Sequence, residues 1–111
     1  MQVKFHRKRD QRKALLKTLI HNLIMNERIK TTEKRAKVVK SKVERLISKS
    51  KKQDLSSLRY LLQRLPKKSA YKLFYEISPK YVERKGGYVR LIKLPFLRKK
   101  DNAKLSLIEF I

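Results

Sequence analysis

The spacing of the apolar residues changes once along this chain, near position 80, and this change limits the folds that the chain can adopt. Before position 80, apolar residues recur at helical intervals in four segments that polar or proline-containing stretches separate. After it, two segments, GYVRLIKL and AKLSLIEF, are rich in strand-forming residues, with the polar stretch RKKDN between them. This pattern predicts four helices followed by a β-hairpin.

Local signals predict where the helices begin and end. The expected starts are residues whose side chains accept hydrogen bonds from free N–H groups, namely Asp10, Thr32, Asp54 and Ser69. Because proline lacks a backbone donor, we expect the third helix to end at Pro66 and the fourth before Pro79. Between the first two helices, RIKT predicts a short strand. The order helix, strand, three helices, two strands predicts an α+β fold of two layers, with the helices packed on a small three-stranded sheet.

Alternation within the hairpin predicts which of its residues face the helices. We expect the odd-numbered face to be buried, with Val89, Leu91, Leu105 and Leu107. The even-numbered face is expected to point outward, with Tyr88, Arg90, Lys104 and Ser106. Three apolar residues also fall on the even face, and either the chain or a partner must cover them: Ile92, Ile108 and Phe110.

The charge of the chain restricts its partners. Its 111 residues include 32 Lys and Arg but 9 Asp and Glu, which gives a formal net charge of +23. An excess of this size repels itself and disfavours the compact state unless a polyanion neutralises it. Nucleic acid is therefore the expected partner, and an anionic membrane surface is the second possibility.

The residues needed for catalysis or metal binding are not recognisable in the sequence. The chain has no cysteine, which leaves no disulfide framework and no thiolate metal site. Its histidines, His6 and His21, are isolated from each other, and no nucleophile, base and orienting group form a set. We predict a protein that is not an enzyme and uses no cofactor, metal or small-molecule substrate. The apolar runs are too short to span a bilayer, so we expect a cytosolic protein.

Basic residues crowd around the predicted start of the first helix. They are Lys4, His6, Arg7, Lys8, Arg9, Arg12 and Lys13. The helix dipole disfavours cations at this end, whereas a bound phosphate would favour both the helix end and the arginines. We predict that residues 1–9 form a basic arm, that residues 10–111 form a single α+β domain, and that this cluster contacts nucleic-acid phosphate.

The only two glycines are adjacent, in the basic stretch ERKGGYVR. Glycine can supply the positive φ of a turn that leads into a strand. Glycine can also let backbone N–H groups meet a phosphate directly, and the two roles are compatible. A side chain at Gly87 is expected to disturb the turn or this approach. The candidate contacts here are Arg84, Lys85, Gly86, Gly87, Arg90 and Lys93, with Tyr88 packing or stacking beside them.

The segment GGYVRLIKLPFLRKKDNAKLSLIEF resembles the C-terminal signature of the bacterial ribosomal large-subunit protein seventeen family. The matching positions are Gly86, Gly87, Tyr88, Arg90, Lys93, Arg98, Asp101, Ala103, Ile108 and Glu109. Upstream, ERIKTTEKRAK is the strongest match to the same family's short strand and second helix. Together the resemblance covers about residues 4 to 110.

The resemblance implies the same order of elements and a structural role in the ribosome. It implies binding of large-subunit rRNA near the polypeptide exit, a single copy per ribosome, and contact with neighbouring large-subunit proteins. The location would be the cytoplasm or, alternatively, an organellar ribosome. Lys100 stands where the family usually has glycine, and with Arg98 and Lys99 it completes the candidate RNA contacts.

Three other classes of protein share some of these features. A chromosome-associated DNA-binding module would show the same charge, but no groove-reading helix is evident. A membrane-active cationic protein would need an exposed amphipathic helix, whereas the apolar stripes here are numerous enough to pack against one another. An RNA-modifying enzyme would need a catalytic set.

Overall fold

The computed structural model describes residues 9–111, and its elements follow the predicted order. The helices are α1 (Arg9–Asn26), α2 (Glu33–Ser50), α3 (Leu55–Arg64) and α4 (Lys67–Lys72). A π-helical turn (Leu73–Ile77) and a 3-10 helix (Ser78–Tyr81) continue directly from α4. The strands are β1 (Arg28–Thr32), β2 (Val89–Leu97) and β3 (Lys104–Phe110). The α+β class and the order of elements are therefore confirmed.

The three strands form one antiparallel sheet in the order β1-β3-β2. Ile108 of the central strand lies between Ile29 of β1 and Leu91 of β2. The helices cover the face of the sheet that carries these residues, and α2 contacts all three strands. Leu23 of α1, Ile47 of α2 and Ile108 are completely buried in the resulting core. Among the described residues, no helix is both long and apolar enough to cross a membrane.

The predicted faces of the hairpin are wrong for β3. Val89 pairs with Phe110 and Leu91 pairs with Ile108, so odd positions of β2 share a face with even positions of β3. Ile108 and Ser106 are accordingly buried, whereas Leu105 and Leu107 are only half-buried on the outer face. The reason is the register: the loop length decides which residues pair, and a shift by one residue exchanges the two faces of a strand. The chain itself thus covers Ile108.

Two of the predicted helix starts lie where the sequence places them, and one of the two has the predicted side-chain cap. Asp54 precedes α3, and its carboxylate accepts a hydrogen bond of 2.7 Å from the Ser57 N–H. Hydrogen bonds from the hydroxyl and N–H of Ser57 hold the pKa of Asp54 below its usual range. Thr32 precedes α2, but its side chain makes no capping hydrogen bond. The remaining two predictions do not agree with the structure.

Asp10 lies within the first turn of α1, and α4 begins at Lys67 rather than at Ser69. The Ser69 residue is buried, and its hydroxyl donates at 3.0 Å to the carbonyl of Pro66, which directly precedes α4, so it caps no free N–H group. The helical path also continues past Pro79, which occupies the first turn of the 3-10 helix. A proline is tolerated there because the first N–H groups of a helix have no intrahelical acceptor.

Candidate nucleic-acid interface

The glycines lie in the segment that joins the 3-10 helix to β2, residues 82–88, here called the glycine loop. Two side chains hold this loop, one from Glu44 in α2 and one from Lys51, which directly follows α2. The Lys51 ammonium donates to the Arg84 carbonyl and, at 2.7 Å, to the Tyr88 hydroxyl. The Glu44 carboxylate accepts the Tyr88 N–H at 3.0 Å. The glycine loop is therefore fastened to the C-terminal half of α2.

Sequence reasoning missed both of these anchoring residues. Lys51 is one of many lysines and carries no distinguishing signal. Glu44 carries a weak signal, because it and Glu33 are the only acidic residues of α2, a helix that is otherwise rich in cations. In the structure its partner is the backbone of the glycine loop.

The two glycines have different roles. Gly87 has a φ of +67°, in the region that side chains disfavour, so the predicted turn is confirmed. A Cβ at Gly87 would meet only the Arg84 guanidinium, at 4.0 Å, so conformation rather than crowding requires glycine. Gly86 has no positive φ, and a Cβ there would meet nothing within 4 Å. Neither backbone conformation nor packing within the described residues explains the glycine at position 86.

Tyr88 belongs to the core. Its side chain is 2% exposed, and its ring lies 5.4 Å from the ring of Tyr81. Its hydroxyl also donates to the Arg84 carbonyl at 3.1 Å. Of the two roles predicted for Tyr88, packing is therefore the one observed, because a ring with almost no exposed surface cannot stack on a base. The predicted outward direction is corrected for the same reason.

The two candidate cations of β2 lie on opposite faces of the sheet. Arg90 is on the outer face, where its Nε lies 2.8 Å from a Glu109 oxygen. Lys93 is on the opposite face, and its Nζ lies 3.9 Å from a Glu33 oxygen. Both side chains remain mostly exposed, at 57% and 77%. Exposed pairs of this kind contribute about 0–1 kcal/mol, so both cations can exchange their partners for phosphate.

The loop between β2 and β3, residues 98–103, is here called the hairpin tip. The Arg98 guanidinium donates to the Asp101 carboxylate at 3.0 and 2.6 Å, and Asp101 also accepts the Ala103 N–H at 3.2 Å. The left-handed residue of this turn is Asn102, with a φ of 55°. Lys100 has no positive φ, so a lysine is accommodated there without backbone strain, and Arg98 closes the turn.

We expect removal of the Arg98 guanidinium to raise the pKa of Asp101. The hydrogen bonds from Arg98 are the main cause that lowers this pKa to about 2. Because the folded-state pKa is depressed, the contribution of Asp101 to stability is present above its ordinary pKa and is lost as the pH falls toward 2. An NMR titration of the carboxyl group in Arg98→Ala should give a midpoint closer to the ordinary value. Lys99→Ala is the control, and equal midpoints in both variants would contradict the assignment.

The candidate contacts do not form one continuous site. The glycine loop and the hairpin tip lie at opposite ends of the nine-residue strand β2. At roughly 3.3 Å per residue, about 30 Å of strand separates them. The chain therefore presents two basic regions along the hairpin, with the exposed residues Lys85 at one end and Lys99 and Lys100 at the other.

The start of α1 provides a third basic region. Arg9 and Lys13 are exposed there. Arg12 is half-buried, and its Nε has no hydrogen-bond partner among residues 9–111. Lys4, His6, Arg7 and Lys8 lie outside the described residues. The division into an arm and a single domain therefore stays a prediction.

Clusters of exposed cations on a small, strongly basic domain are the electrostatic pattern of nucleic-acid-binding proteins. Within residues 9–111, no group of acidic or histidine side chains is arranged to hold a metal ion. Residues 15–111 match the model of the family Ribosomal protein L17. The chain belongs to the ribosomal protein L17 family, and the family resemblance seen in the sequence is confirmed.

Named bacterial proteins resemble the chain over nearly its whole length. It is 44% identical over 108 residues to large ribosomal subunit protein bL17 of Hydrogenobaculum sp. (strain Y04AAS1), an alignment that covers 96% of this chain and 92% of that protein. It is 48% identical over 108 residues to the protein of the same name from Thermodesulfovibrio yellowstonii, covering 96% and 80%. Members of this family are structural and non-enzymatic, which confirms the predicted lack of enzymatic function.

Proposed function

We propose that this protein is a structural constituent of the large ribosomal subunit that binds and stabilises large-subunit rRNA near the polypeptide exit. The names of the relatives support the ribosomal role and a location in the cytoplasmic ribosome. The net charge of +23 supports RNA as the partner, since ribosomal RNA supplies the polyanion that such a charge requires. Neighbouring large-subunit proteins are further partners, and the position near the exit rests on the family resemblance.

The observation that carries the proposal is the glycine at position 86. It is exposed and lies beside Arg84 and Lys85, and nothing in the described residues requires it to be glycine. The N–H groups of Arg84 and Tyr88 are bonded to Tyr81 and Glu44, and the absence of a side chain leaves the backbone at Gly86 open to a ligand. Anions bind to such exposed N–H groups, and flanking cations strengthen the binding. An rRNA phosphate at this loop accounts for the residue.

The packing of the helices supports RNA over a membrane as the partner. A membrane-active helix needs an apolar face that is exposed in the free protein. Here Leu23 of α1, Ile47 of α2 and Leu61 of α3 are completely buried against the rest of the core. The central apolar residues of the three long helices are therefore already used within the core and are not available to insert into a membrane.

We expect Gly86→Ala to lower the affinity for a folded large-subunit rRNA fragment by about tenfold, because one charge-assisted hydrogen bond contributes about 1.5–3 kcal/mol. Its melting temperature should stay near that of the wild type, since the added Cβ meets no atom within 4 Å. Gly87→Ala is the matched control. Its positive φ predicts a loss of stability of about 1–2 kcal/mol, whatever its effect on RNA.

Affinity and melting temperature are to be measured on the same preparations, at one fixed salt concentration. Duplex DNA of equal length serves as a competitor and should displace the rRNA fragment poorly. An unchanged affinity of both Gly86→Ala and Arg84→Ala, with the fold intact, would show that the glycine loop is only a turn. Whether the tagged protein sediments with the large ribosomal subunit tests the ribosomal role itself.

A further inference from the structure

An open pocket of about 480 Å³ lies between α1, α2 and α3. All of its lining residues come from these helices and from Leu65, the residue that ends α3, and none comes from the sheet. It is therefore distinct from the glycine loop and from the hairpin tip. Its volume falls in the range of about 300–1,000 Å³ that is usual for small-molecule sites.

The pocket has an apolar floor and a cationic rim. Leu16, Ile20, Leu46 and Leu65 form the floor. Each of the three helices contributes cations to the rim, which consists of Lys13, Lys17, Lys42, Arg45 and Arg64. None of the described lining residues is acidic. An occupant must therefore combine a flat or apolar body with negative charge.

One wall of the pocket is a stacked pair of side chains from α3. The Arg64 guanidinium carbon lies 3.7 Å from the centre of the Tyr60 ring, and Arg64 also donates to the Tyr60 carbonyl at 3.4 Å. The amide of Gln63, beside them, can both donate and accept hydrogen bonds. Guanidinium planes and aromatic rings are the surfaces on which unpaired RNA bases stack.

We propose that this pocket binds one unpaired nucleotide of an RNA strand. The base lies on the apolar floor and stacks on the Arg64 guanidinium, which the Tyr60 ring supports from behind, and the flanking phosphates lie among the cations of the rim. The proposal rests on the proposed RNA binding and adds a second kind of contact to it. Lys13 is predicted from the sequence as a phosphate contact at the start of α1. In the pocket it lies with the cations of α2 and α3 that would bind the same RNA strand.

The shape of the pocket selects among anionic ligands. In a duplex the bases are paired and stacked, and they cannot enter a pocket between helices. The carboxylates of an acidic peptide could pair with the cations of the rim. A carboxylate has no flat apolar face, however, so it would not fill the apolar floor or stack on the Arg64 guanidinium. An unpaired nucleotide satisfies both parts, because each base has an apolar face and each linkage carries a charge.

The test uses the full chain and a short single-stranded oligoribonucleotide that contains 4-thiouridine. Crosslinked peptides, identified by mass spectrometry, should include those that carry Tyr60 and the rim lysines, and annealing the RNA to its complement should remove them. Arg64→Ala should lower the affinity for the single strand by about tenfold, as expected for loss of one stacking partner. Arg59→Ala is the control on the same helix; Arg59 is exposed, is not among the lining residues, and carries the same charge.

Arg59→Ala should change the affinity by less than about twofold, the effect of one exposed cation among many. Lys42→Ala is a second rim variant in case Arg64→Ala folds poorly. Equal effects of the Arg59 and Arg64 variants, or crosslinks spread over all basic surfaces, would show that the pocket is not a nucleotide site. Neither result would contradict RNA binding by the protein as a whole. Displacement of the strand by a polyglutamate peptide as readily as by unlabelled RNA would also overturn it. If the rRNA fragment and the oligonucleotide both fail to bind, the proposed function itself is wrong.

Discussion

Raising the salt concentration from about 50 to about 200 mM is expected to weaken the binding of this protein to large-subunit rRNA by roughly a thousandfold or more. The reason is the release of counterions from each phosphate that a Lys or Arg neutralises. With 32 basic and 9 acidic residues, the chain has cations enough for many such contacts. The three basic regions, at the start of α1, the glycine loop and the hairpin tip, place them at separate points. About 6–10 phosphate contacts would produce a change of this size.

The dependence is measured by titrating a folded rRNA fragment at a series of salt concentrations. The slope of log affinity against log salt counts the phosphate contacts. Lys85→Ala and Lys99→Ala remove one exposed cation from each end of β2, and each should reduce the slope by about one unit. An affinity that stays constant over this range would exclude the electrostatic account of RNA binding.

Tyr88→Ala is expected to lower the free energy of unfolding by about 3–5 kcal/mol, as is usual when a buried aromatic side chain is removed. The Tyr88 side chain is only 2% exposed and packs beside Tyr81. Its removal also takes away the hydroxyl group that accepts from Lys51. For a protein of this size, whose total stability is about 5–15 kcal/mol, the loss is a large fraction.

Two further variants show how much of this loss comes from the ring of Tyr88. One removes only its hydroxyl group, and the other removes an exposed tyrosine elsewhere. Tyr88→Phe keeps the ring and should cost about 1 kcal/mol, the usual net contribution of one hydrogen bond. Tyr75→Ala, at a tyrosine that is 62% exposed, is the surface control; it loses the edge-to-face contact with Phe74 and should cost only about 0.5–1.5 kcal/mol. Denaturant titrations give all three values. If Tyr88→Ala were as stable as the Tyr75 variant, the ring could not lie in the core, and stacking on RNA would again be possible.

The features that were predicted correctly depend on residues close together in the chain. The periods of the apolar residues give the order of helices and strands, because each period reflects the geometry of one element. Asp54 caps α3 through Ser57, three residues away, and Gly87 supplies the positive φ of its own turn. The errors at Ser69 and Pro79 concern helix limits, where several local signals compete. At Ser69 the hydroxyl donates back to Pro66, the residue before the helix, instead of accepting from a free N–H group.

By itself, the sequence determined the class of fold, the order of its elements, the strong positive charge and the family. Only the tertiary structure decided the register of the hairpin, and hence that Ile108 is buried. It alone also decided that Tyr88, which precedes β2, packs beside Tyr81 in the core. It also decided that Lys51 holds the glycine loop through Arg84, 33 residues away, and that three helices enclose a basic pocket. The physical reason is that these features are contacts between distant residues. Their free energy depends on how whole elements pack, whereas a cap or a turn depends only on its neighbours along the chain.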